Sequence, residues 1–160
     1  MKIVHVKHST NGDSRVAIGV PSFLEFKQAN YYHIQDVVDL TNAFADELRE
    51  RVQEHDWTKV TGPYQSWFYN DLCDAITGKI DFMNGEWAKV HYYELERHHL
   101  AQHAPDDVNM FDVIEMLCDC VAAGMARSGE IYQIKIPNEV LQRAISNTVE
   151  LLKDHVIVDP

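Results

Sequence analysis

Residues 108–129 read VNMFDVIEMLCDCVAAGMARSG and form the most apolar segment of the chain. Apolar residues recur along it at intervals of three and four, which is the spacing of one face of an α-helix. The pair Ser128-Gly129 ends the pattern, as glycine commonly does after a helix. The sequence therefore predicts a helix from Val108 to about Arg127 at the centre of the fold. Its expected core residues are Val113, Ile114, Met116, Leu117 and Val121.

Three carboxylates interrupt this apolar segment. Asp112, Glu115 and Asp119 stand at i, i+3 and i+7, so a helix would place them on one face. A buried carboxylate without a partner costs several kcal/mol, so a positive group is expected opposite them. Asp112 has an alternative explanation, because a carboxylate near a helix start can serve as its cap.

The chain after about residue 23 also shows helical spacing over most of its length. A short segment at residues 55–60 stops near Gly62-Pro63, a pair that breaks helices. Besides the central helix, the pattern predicts helices over residues 28–53, 65–76, 86–99 and 140–152.

The first 20 residues follow a different pattern. Valine and isoleucine residues stand on both sides of the turn-forming Asn11-Gly12-Asp13. This arrangement predicts a small β-hairpin. We expect one domain over residues 1–160, in which residues 1–22 extend a helical core of residues 23–155.

The charge of the chain restricts its ligands. Lys and Arg number 14 against 25 Asp and Glu, which gives a formal net charge of −11. A field of this sign repels a phosphate backbone, so no nucleic-acid polymer is expected as a partner. A small phosphorylated ligand would need a metal ion or a local cluster of basic side chains.

The sequence also bears on location. It has no apolar run of about 18 residues, which excludes insertion into a membrane. The start MKIVHVKHSTNGD lacks the apolar stretch of a secretory signal, so a cytoplasmic location is expected. Cys73, Cys118 and Cys120 are then expected to be free thiols.

The chain has nine histidines, and His55 stands directly before Asp56. Imidazole and carboxylate together suit transition metals and magnesium. Helical spacing would place some of the later histidines on one face with Arg97, although an exposed polar helix gives the same pattern. Whether they face a common site stays open at this point. Four of them fall within thirteen residues: His91, His98, His99 and His103.

The order of His33, His55-Asp56 and Asp119 resembles the H…HD…D pattern of HD-domain metal-dependent phosphohydrolases, which are all-helical. The string HDWTK also looks like an HDxxK variant of that superfamily. Together with ERHH and NMFDVIEMLCD, it is similar to a poorly characterised family of small phage and bacterial proteins with HDxSK, NRHH and DLIEMLCDW motifs. This likeness covers roughly residues 28–152.

The HD resemblance implies a mainly α-helical, HD-domain-like bundle with a divalent metal ion as cofactor: Mn, Fe, Co, Ni, Zn or Mg. Carried over residue by residue, it assigns the metal ligands to His33, His55, Asp56 and Asp119. Bound ions lower the pKa of a water molecule and polarise a phosphoryl oxygen. The implied function is hydrolysis of a small phosphate ester, with a nucleotide as the expected substrate.

Four further residues are candidates for catalysis. Lys59 follows Asp56 by about one helical turn, and Arg97 carries a planar guanidinium. Both can therefore neutralise charge that develops on a phosphoryl group. His98 is assigned the same role, and Glu115 is expected to orient or deprotonate the attacking water.

A second hypothesis comes from a different class of protein. The chain would then be a non-catalytic helical accessory protein of a phage or bacterium, and the His/Asp cluster would be a structural metal site. A structural site is coordinatively closed, whereas a catalytic one keeps an open position. Under either hypothesis the expected location is the bacterial or phage-infected host cytoplasm. The sequence leaves both a monomer and a homo-oligomer possible.

Overall fold

The computed structural model describes residues 1–160 and is mainly helical with one small pair of strands, which confirms the predicted class. Its likeness to the HD-domain bundle stays a prediction. None of the helices combines the length and the apolar character that crossing a membrane requires. In chain order the elements are β1 (Val4–Lys7), α1 (Phe23–Arg51), α2 (Gly62–Ile76), α3 (Glu86–Val90), α4 (Met110–Ser128), α5 (Asn138–Asp154) and β2 (Val156–Asp159).

Contacts within the chain divide it into two units. The first consists of residues 1–50 and 149–160, and the second of residues 51–148. The division does not fall at residue 22, where the sequence pattern places the end of an extension. The prediction of a single domain stays a prediction.

Helix α4 corresponds to the predicted central helix. Asn109 precedes it and closes a capping box: its side chain accepts a hydrogen bond from the Phe111 N–H at 3.0 Å. In return, the Asp112 carboxylate accepts one from the Asn109 N–H at 2.9 Å. Gly129 ends the helix with φ 75°, a left-handed conformation that glycine adopts without strain. The cap explanation of Asp112 is therefore confirmed.

The apolar core of the second unit lies between α4, α5 and the segment before α4. Leu117 packs against it as predicted, but Ile114 is only partly buried and Val121 is 43% exposed. The Thr148 hydroxyl of α5 accepts a hydrogen bond from the Met110 N–H at 2.8 Å, which joins α5 to the start of α4. The buried members of the core are Leu100, Val108, Val113, Met116, Val140 and Ala144.

The N-terminal strand forms, but its partner is not the second arm of a hairpin. Strand β1 pairs in parallel with β2, and Val4 lies opposite Val156. Residues 11–16 form turns, after which Ile18 is fully exposed rather than paired. The alternation of apolar residues indicates a strand, but the pairing depends on contact with a segment at the other end of the chain.

Helices α1 and α2 begin earlier than predicted. Ser22 precedes α1, and its hydroxyl accepts a hydrogen bond from the Glu25 N–H at 3.3 Å. The Glu25 carboxylate accepts one from the Ser22 N–H at 2.7 Å, so the two residues cap the helix reciprocally. Helix α2 begins at Gly62 because Pro63 lies in its first turn, where a backbone N–H is not needed.

Candidate metal centre

His55 and Asp56 lie where the chain reverses between two short 3-10 turns, Val52–Glu54 and Trp57–Lys59. Asp56 has φ 55° and ψ 27° and is the one non-glycine residue of the chain in the left-handed region. This conformation costs of the order of 1–3 kcal/mol and is concentrated at functional sites. The short helical segment predicted over residues 55–60 is therefore not continuous. The turn at His55 and Asp56 brings both side chains to one cluster.

Helix α3 passes directly into a five-residue π-helix, His91–Leu95. Such turns are rare and occur frequently at functional sites. The helix predicted over residues 86–99 is therefore wrong at its end, because helical structure stops at Leu95. The turns that follow bring His98 and His99 back beside His91, with ring centroids 6.5 and 4.6 Å from that of His91.

Asp71 of α2 anchors the start of α3. Its carboxylate accepts hydrogen bonds from the Trp87 N–H at 2.8 Å and the Ala88 N–H at 3.3 Å. These N–H groups belong to the first turn of a helix and have no partner within it. The Trp87 ring in turn stacks on His91 with a centroid separation of 4.2 Å. Asp71 and Trp87 thereby fix the position of His91.

The first group of possible metal ligands consists of Asp56, His91 and His99. The Nε2 atom of His91 lies 2.8 Å from Nε2 of His99 and 3.4 Å from Oδ1 of Asp56. His91 is fully buried, and the other two are partly buried.

The second group consists of His55, His98 and Glu115. The Oε1 atom of Glu115 lies 2.8 Å from Nδ1 of His55 and 3.2 Å from Nδ1 of His98. Asp119 joins His55 and Asp56 in a third grouping, with its Oδ1 atom 3.8 Å from Nε2 of His55. Helix α4 supplies Glu115 and Asp119. The other residues of the three groups come from outside this helix.

The separations within the groups match the geometry of shared coordination. Two donor atoms that each lie about 2.1 Å from one ion, at an angle of about 90–109°, are about 3.0–3.4 Å apart. The contacts between ligand atoms in the first two groups run from 2.8 to 3.4 Å. The clustered His, Asp and Glu side chains could therefore hold a metal ion with small adjustments.

Three of the four buried side-chain atoms without hydrogen-bond partners lie at this cluster: Oδ1 of Asp56 and both ring nitrogens of His98; the fourth is Nε of Arg143 on α5. The Nδ1 atom of His98 contacts Glu115 at 3.2 Å, but not with the geometry of a hydrogen bond. His98 is 1% exposed, and its Nε2 atom lies 3.7 Å from the unpartnered Asp56 oxygen. Buried polar groups are nearly always satisfied in native proteins, so an orphaned set at one point indicates a missing partner. A cation fits this set, because the Asp56 oxygen and one of the two His98 ring nitrogens can each present a lone pair.

The protonation states of the cluster leave lone pairs available. Burial lowers the pKa of His91 and of His99 to about 3, so both imidazoles are neutral near pH 7. Burial raises the pKa of Glu115, but the hydrogen bond with His55 and the nearby His98 ring outweigh it and lower that pKa to about 2. His55 differs, because hydrogen bonds to Asp56 and Glu115 raise its pKa to about 10.

A hollow beside the second group reaches the surface. It has a volume of about 230 Å³ and lies against His55, Glu115 and Asp119. The remaining wall consists of small or apolar side chains: Val52, Cys118 and Ala122. The second group is therefore reachable by a small molecule.

Lys59 lies at the cluster, as the HDxxK string predicts. Its ammonium contacts Oδ2 of Asp56 and is 28% exposed. Burial raises the pKa of Asp56, but hydrogen bonds from His55 and Lys59 outweigh it and hold that pKa well below its usual range. Lys59 is thus a cation at the ligand set that does not need to bind the metal itself.

Arg97 is predicted to bind a phosphate group, but in the structure its guanidinium contacts two carboxylates. Its guanidinium forms two parallel hydrogen bonds with Asp112, from Nε at 2.8 Å and Nη2 at 2.9 Å. A third contact joins Nη1 to Asp107 at 3.0 Å. These bonds raise the pKa of Arg97 and connect it to the cap of α4. The contacts favour a structural ion pair over a role in binding substrate.

His33 is not brought to any of these groups. It is exposed and lies on α1, in the first unit. There it lines a different cavity of about 370 Å³, together with His8 and Asp36. His103 is exposed and also stands outside the groups.

Sequence reasoning did not assign His91 and His99 as ligands, and it gave His98 a catalytic role. The concentration of histidines in this segment was the available indication. Their convergence depends on the π-helix and on the turns after Leu95, which have no recognisable spacing in the sequence.

One protein-family model matches residues 22–155 of the chain, and its description is a family of unknown function (DUF5662). No curated protein matches the chain. No solved structure matches it either.

Proposed function

The chain belongs to the family of unknown function DUF5662, and we propose that it is a metal-dependent phosphohydrolase acting on a small phosphate ester. A nucleotide is the substrate class to test first. The observation that carries the proposal is the set of buried, unpartnered atoms at the cluster: Oδ1 of Asp56 and both ring nitrogens of His98.

The two disjoint groups support a centre for two ions. His55, His98 and Glu115 would hold one, and the second set of three, Asp56, His91 and His99, would hold the other. His55 and Asp56 are neighbours in the chain, and their side chains lie 3.3 Å apart, so the groups adjoin. Paired ions about 3.5–4 Å apart are typical of enzymes that transfer phosphoryl groups.

The charge of the chain supports a role for the metal in attracting substrate. With a net charge of −11, the protein would repel a phosphate ester unless the local field were reversed. Bound divalent ions supply that reversal, activate a water molecule and polarise the phosphoryl oxygen. Lys59 adds a fixed positive charge beside Asp56.

The residues of the chain have distinct parts in this proposal. His91 and His98 are the buried ligand of each group. Asp119, which is 28% exposed at the edge of the hollow, can accept a proton from a water molecule there. The hollow beside Glu115 is the path by which the ester approaches.

The first experiment strips the protein of metal and reconstitutes it with Mn, Fe, Co, Ni, Zn or Mg in turn. Ion content and phosphate release from nucleotides and other phosphomonoesters are then measured. We expect one or two ions per chain and phosphate release with at least one metal. Asp56→Asn should lose both, since asparagine tolerates the left-handed backbone but lacks the negative charge.

Asp106→Asn is the matched control, because Asp106 is exposed and outside the cluster, and it should keep both properties. Fewer than roughly one ion per ten chains after reconstitution would contradict the metal site itself. Bound metal without hydrolysis of any ester would contradict the catalytic part alone.

The burial of His91 and His98 also favours a second candidate, a structural metal site. Such a site supports the fold, so removing the metal would lower the melting temperature strongly while no metal yielded hydrolysis. The hollow at Glu115 and Asp119 favours the catalytic candidate, because a closed site has no open coordination position.

A further inference from the structure

We infer that Thr58 and Glu96 are positioning residues that fix the tautomer of His91, so that its Nε2 lone pair faces Asp56 and His99. The inference rests on the proposed metal site, because it explains how one ligand of that site is prepared. Neither Thr58 nor Glu96 belongs to a ligand group.

The three side chains form a continuous hydrogen-bonded chain. The Thr58 hydroxyl oxygen lies 2.7 Å from Nδ1 of His91 and 3.0 Å from Oε1 of Glu96. The same carboxylate oxygen accepts a hydrogen bond from the Thr58 N–H at 3.2 Å. Glu96 itself is 3.9 Å from Nδ1 of His91, which is too far for a hydrogen bond, so it acts through Thr58.

The direction of each hydrogen bond follows from the chemistry of the groups. Oε1 of Glu96 already accepts a hydrogen bond from the Thr58 N–H, so it is an acceptor for the hydroxyl as well, and the single hydroxyl proton of Thr58 is donated to it. The Thr58 oxygen can then only accept from His91, which requires a proton on Nδ1 of that ring. A neutral imidazole carries one proton, so Nε2 of His91 is left with its lone pair.

The surroundings of the His91 Nε2 atom make this tautomer suited to binding a metal ion. That atom lies 3.4 Å from Oδ1 of Asp56, the buried oxygen without a hydrogen-bond partner. It also lies 2.8 Å from Nε2 of His99, so in the metal-free protein His99 is the donor in that contact. Binding an ion here would require the His99 proton to move from Nε2 to Nδ1 of the same ring, whereas the His91 lone pair would already be directed at the ion.

The arrangement is held rigidly. Thr58 is 0% exposed, and its carbonyl oxygen accepts a hydrogen bond from Nε1 of Trp87 at 3.3 Å. The ring of Trp87 also stacks on His91, so it contacts both partners of the central hydrogen bond. Thr58 therefore joins the reversal after Asp56 to the π-helix that begins at His91.

The first test reads the tautomer of His91 directly by ¹⁵N NMR of the imidazole nitrogens in the metal-free chain of 160 residues. The wild type should show the proton on Nδ1. In Thr58→Val, which keeps the shape but removes the hydroxyl, the ring should become a mixture of both tautomers. Thr58→Ser should restore the wild-type pattern, since it restores the hydroxyl. A wild-type His91 with its proton on Nε2 overturns the inference.

The second test measures the affinity for Zn²⁺ and Mn²⁺ by calorimetry. Thr58→Val should weaken the binding of one ion by about 10–100-fold, the usual effect of removing a hydrogen-bond partner of a metal-bound histidine. Thr58→Ser should bind within a few-fold of the wild type. Thr61→Val is the matched control and should bind as the wild type does, because Thr61 is exposed and its side chain caps no helix.

The two tests separate this inference from the proposed function. If the wild type binds no metal, the proposed metal site fails, while the NMR result still decides the tautomer. If metal binds and Thr58→Val binds it equally well in a folded protein, the positioning role is contradicted and the metal site stands. If Thr58→Val does not fold, the wild-type tautomer and the recovery in Thr58→Ser remain decisive.

Discussion

Asp56 combines an unusual backbone with an unusual side-chain environment. Its left-handed conformation is uncommon for a non-glycine residue, although aspartate and asparagine adopt it more readily than most. One carboxylate oxygen contacts Lys59, while the other is buried without a hydrogen-bond partner. Strain and an unsatisfied charge at the same residue are expected where function outweighs stability.

At this scale we predict that metal binding releases protons. Metal ligands must be deprotonated, and His55, with a pKa raised to about 10 by Asp56 and Glu115, is protonated near pH 7. The affinity should therefore rise as the pH increases from 7 towards 9. Calorimetry in buffers of different ionisation enthalpy measures the protons directly. His55→Asn should reduce their number, and a wild-type count of zero would contradict the assignment of His55 as a ligand.

Among the elements, the short helix α3 and its π-helical continuation depend on neighbours for their position. A helix of five residues is not stable alone, so its location is set by its contacts. Asp71 holds its first turn, and Gly85 allows the close approach of that carboxylate. The placement of His91 is therefore decided outside the segment that carries it.

The corresponding prediction concerns Gly85→Ala. The backbone at Gly85, with φ −63° and ψ 160°, suits alanine, but a Cβ atom there would overlap the Asp71 carboxylate. Displacing Asp71 should cost about 1–3 kcal/mol in the free energy of unfolding and weaken metal binding. Chemical denaturation and metal titration measure the two effects.

Gly19→Ala provides the control for this change. Its Cβ atom would meet nothing within 4 Å, so stability and metal affinity should stay near those of the wild type. Equal stability of the two variants would show that the Asp71 anchor does not depend on the absence of a side chain at residue 85.

For the whole molecule, the parallel strand pair joins the two ends of the chain within the first unit. The Val4 N–H donates to the His155 carbonyl at 2.8 Å, and the His8 N–H donates to the Asp159 carbonyl at 2.9 Å. Because the partners are about 150 residues apart in sequence, their pairing closes a very long loop and depends on the folded state.

We therefore predict that deleting residues 156–160 exposes the His8 amide, directly after β1. Hydrogen exchange at the His8 amide should become much faster, because its acceptor, the Asp159 carbonyl, is removed and β1 has no other strand to pair with. The amides of α4, in the core of the second unit, serve as the internal control and should keep their protection. Unchanged exchange at the His8 amide would contradict the pairing of β1 with β2.

Local chemistry in the sequence determined the elements whose partners are close along the chain. Helix α4 could be predicted because its apolar spacing, its capping residue and Gly129 all lie within one segment. His55, Asp56 and Asp119 were assigned as ligands through the resemblance to the HD-domain pattern, which local residue types and their order along the chain are enough to reveal. Lys59 followed from the HDxxK string of the same resemblance.

Only the tertiary structure decided the contacts that join distant segments. The π-helix at His91 and the turns after it bring His98 and His99 to Asp56, and no spacing rule describes that path. The pairing of β1 with β2 likewise depends on long-range closure. Periodicity reports which side of an element is apolar, whereas a partner is selected by packing and hydrogen bonding between whole elements. For this reason the chain's composition and spacing indicated a metal-binding helical protein, and its folding selected the residues that could hold the ion.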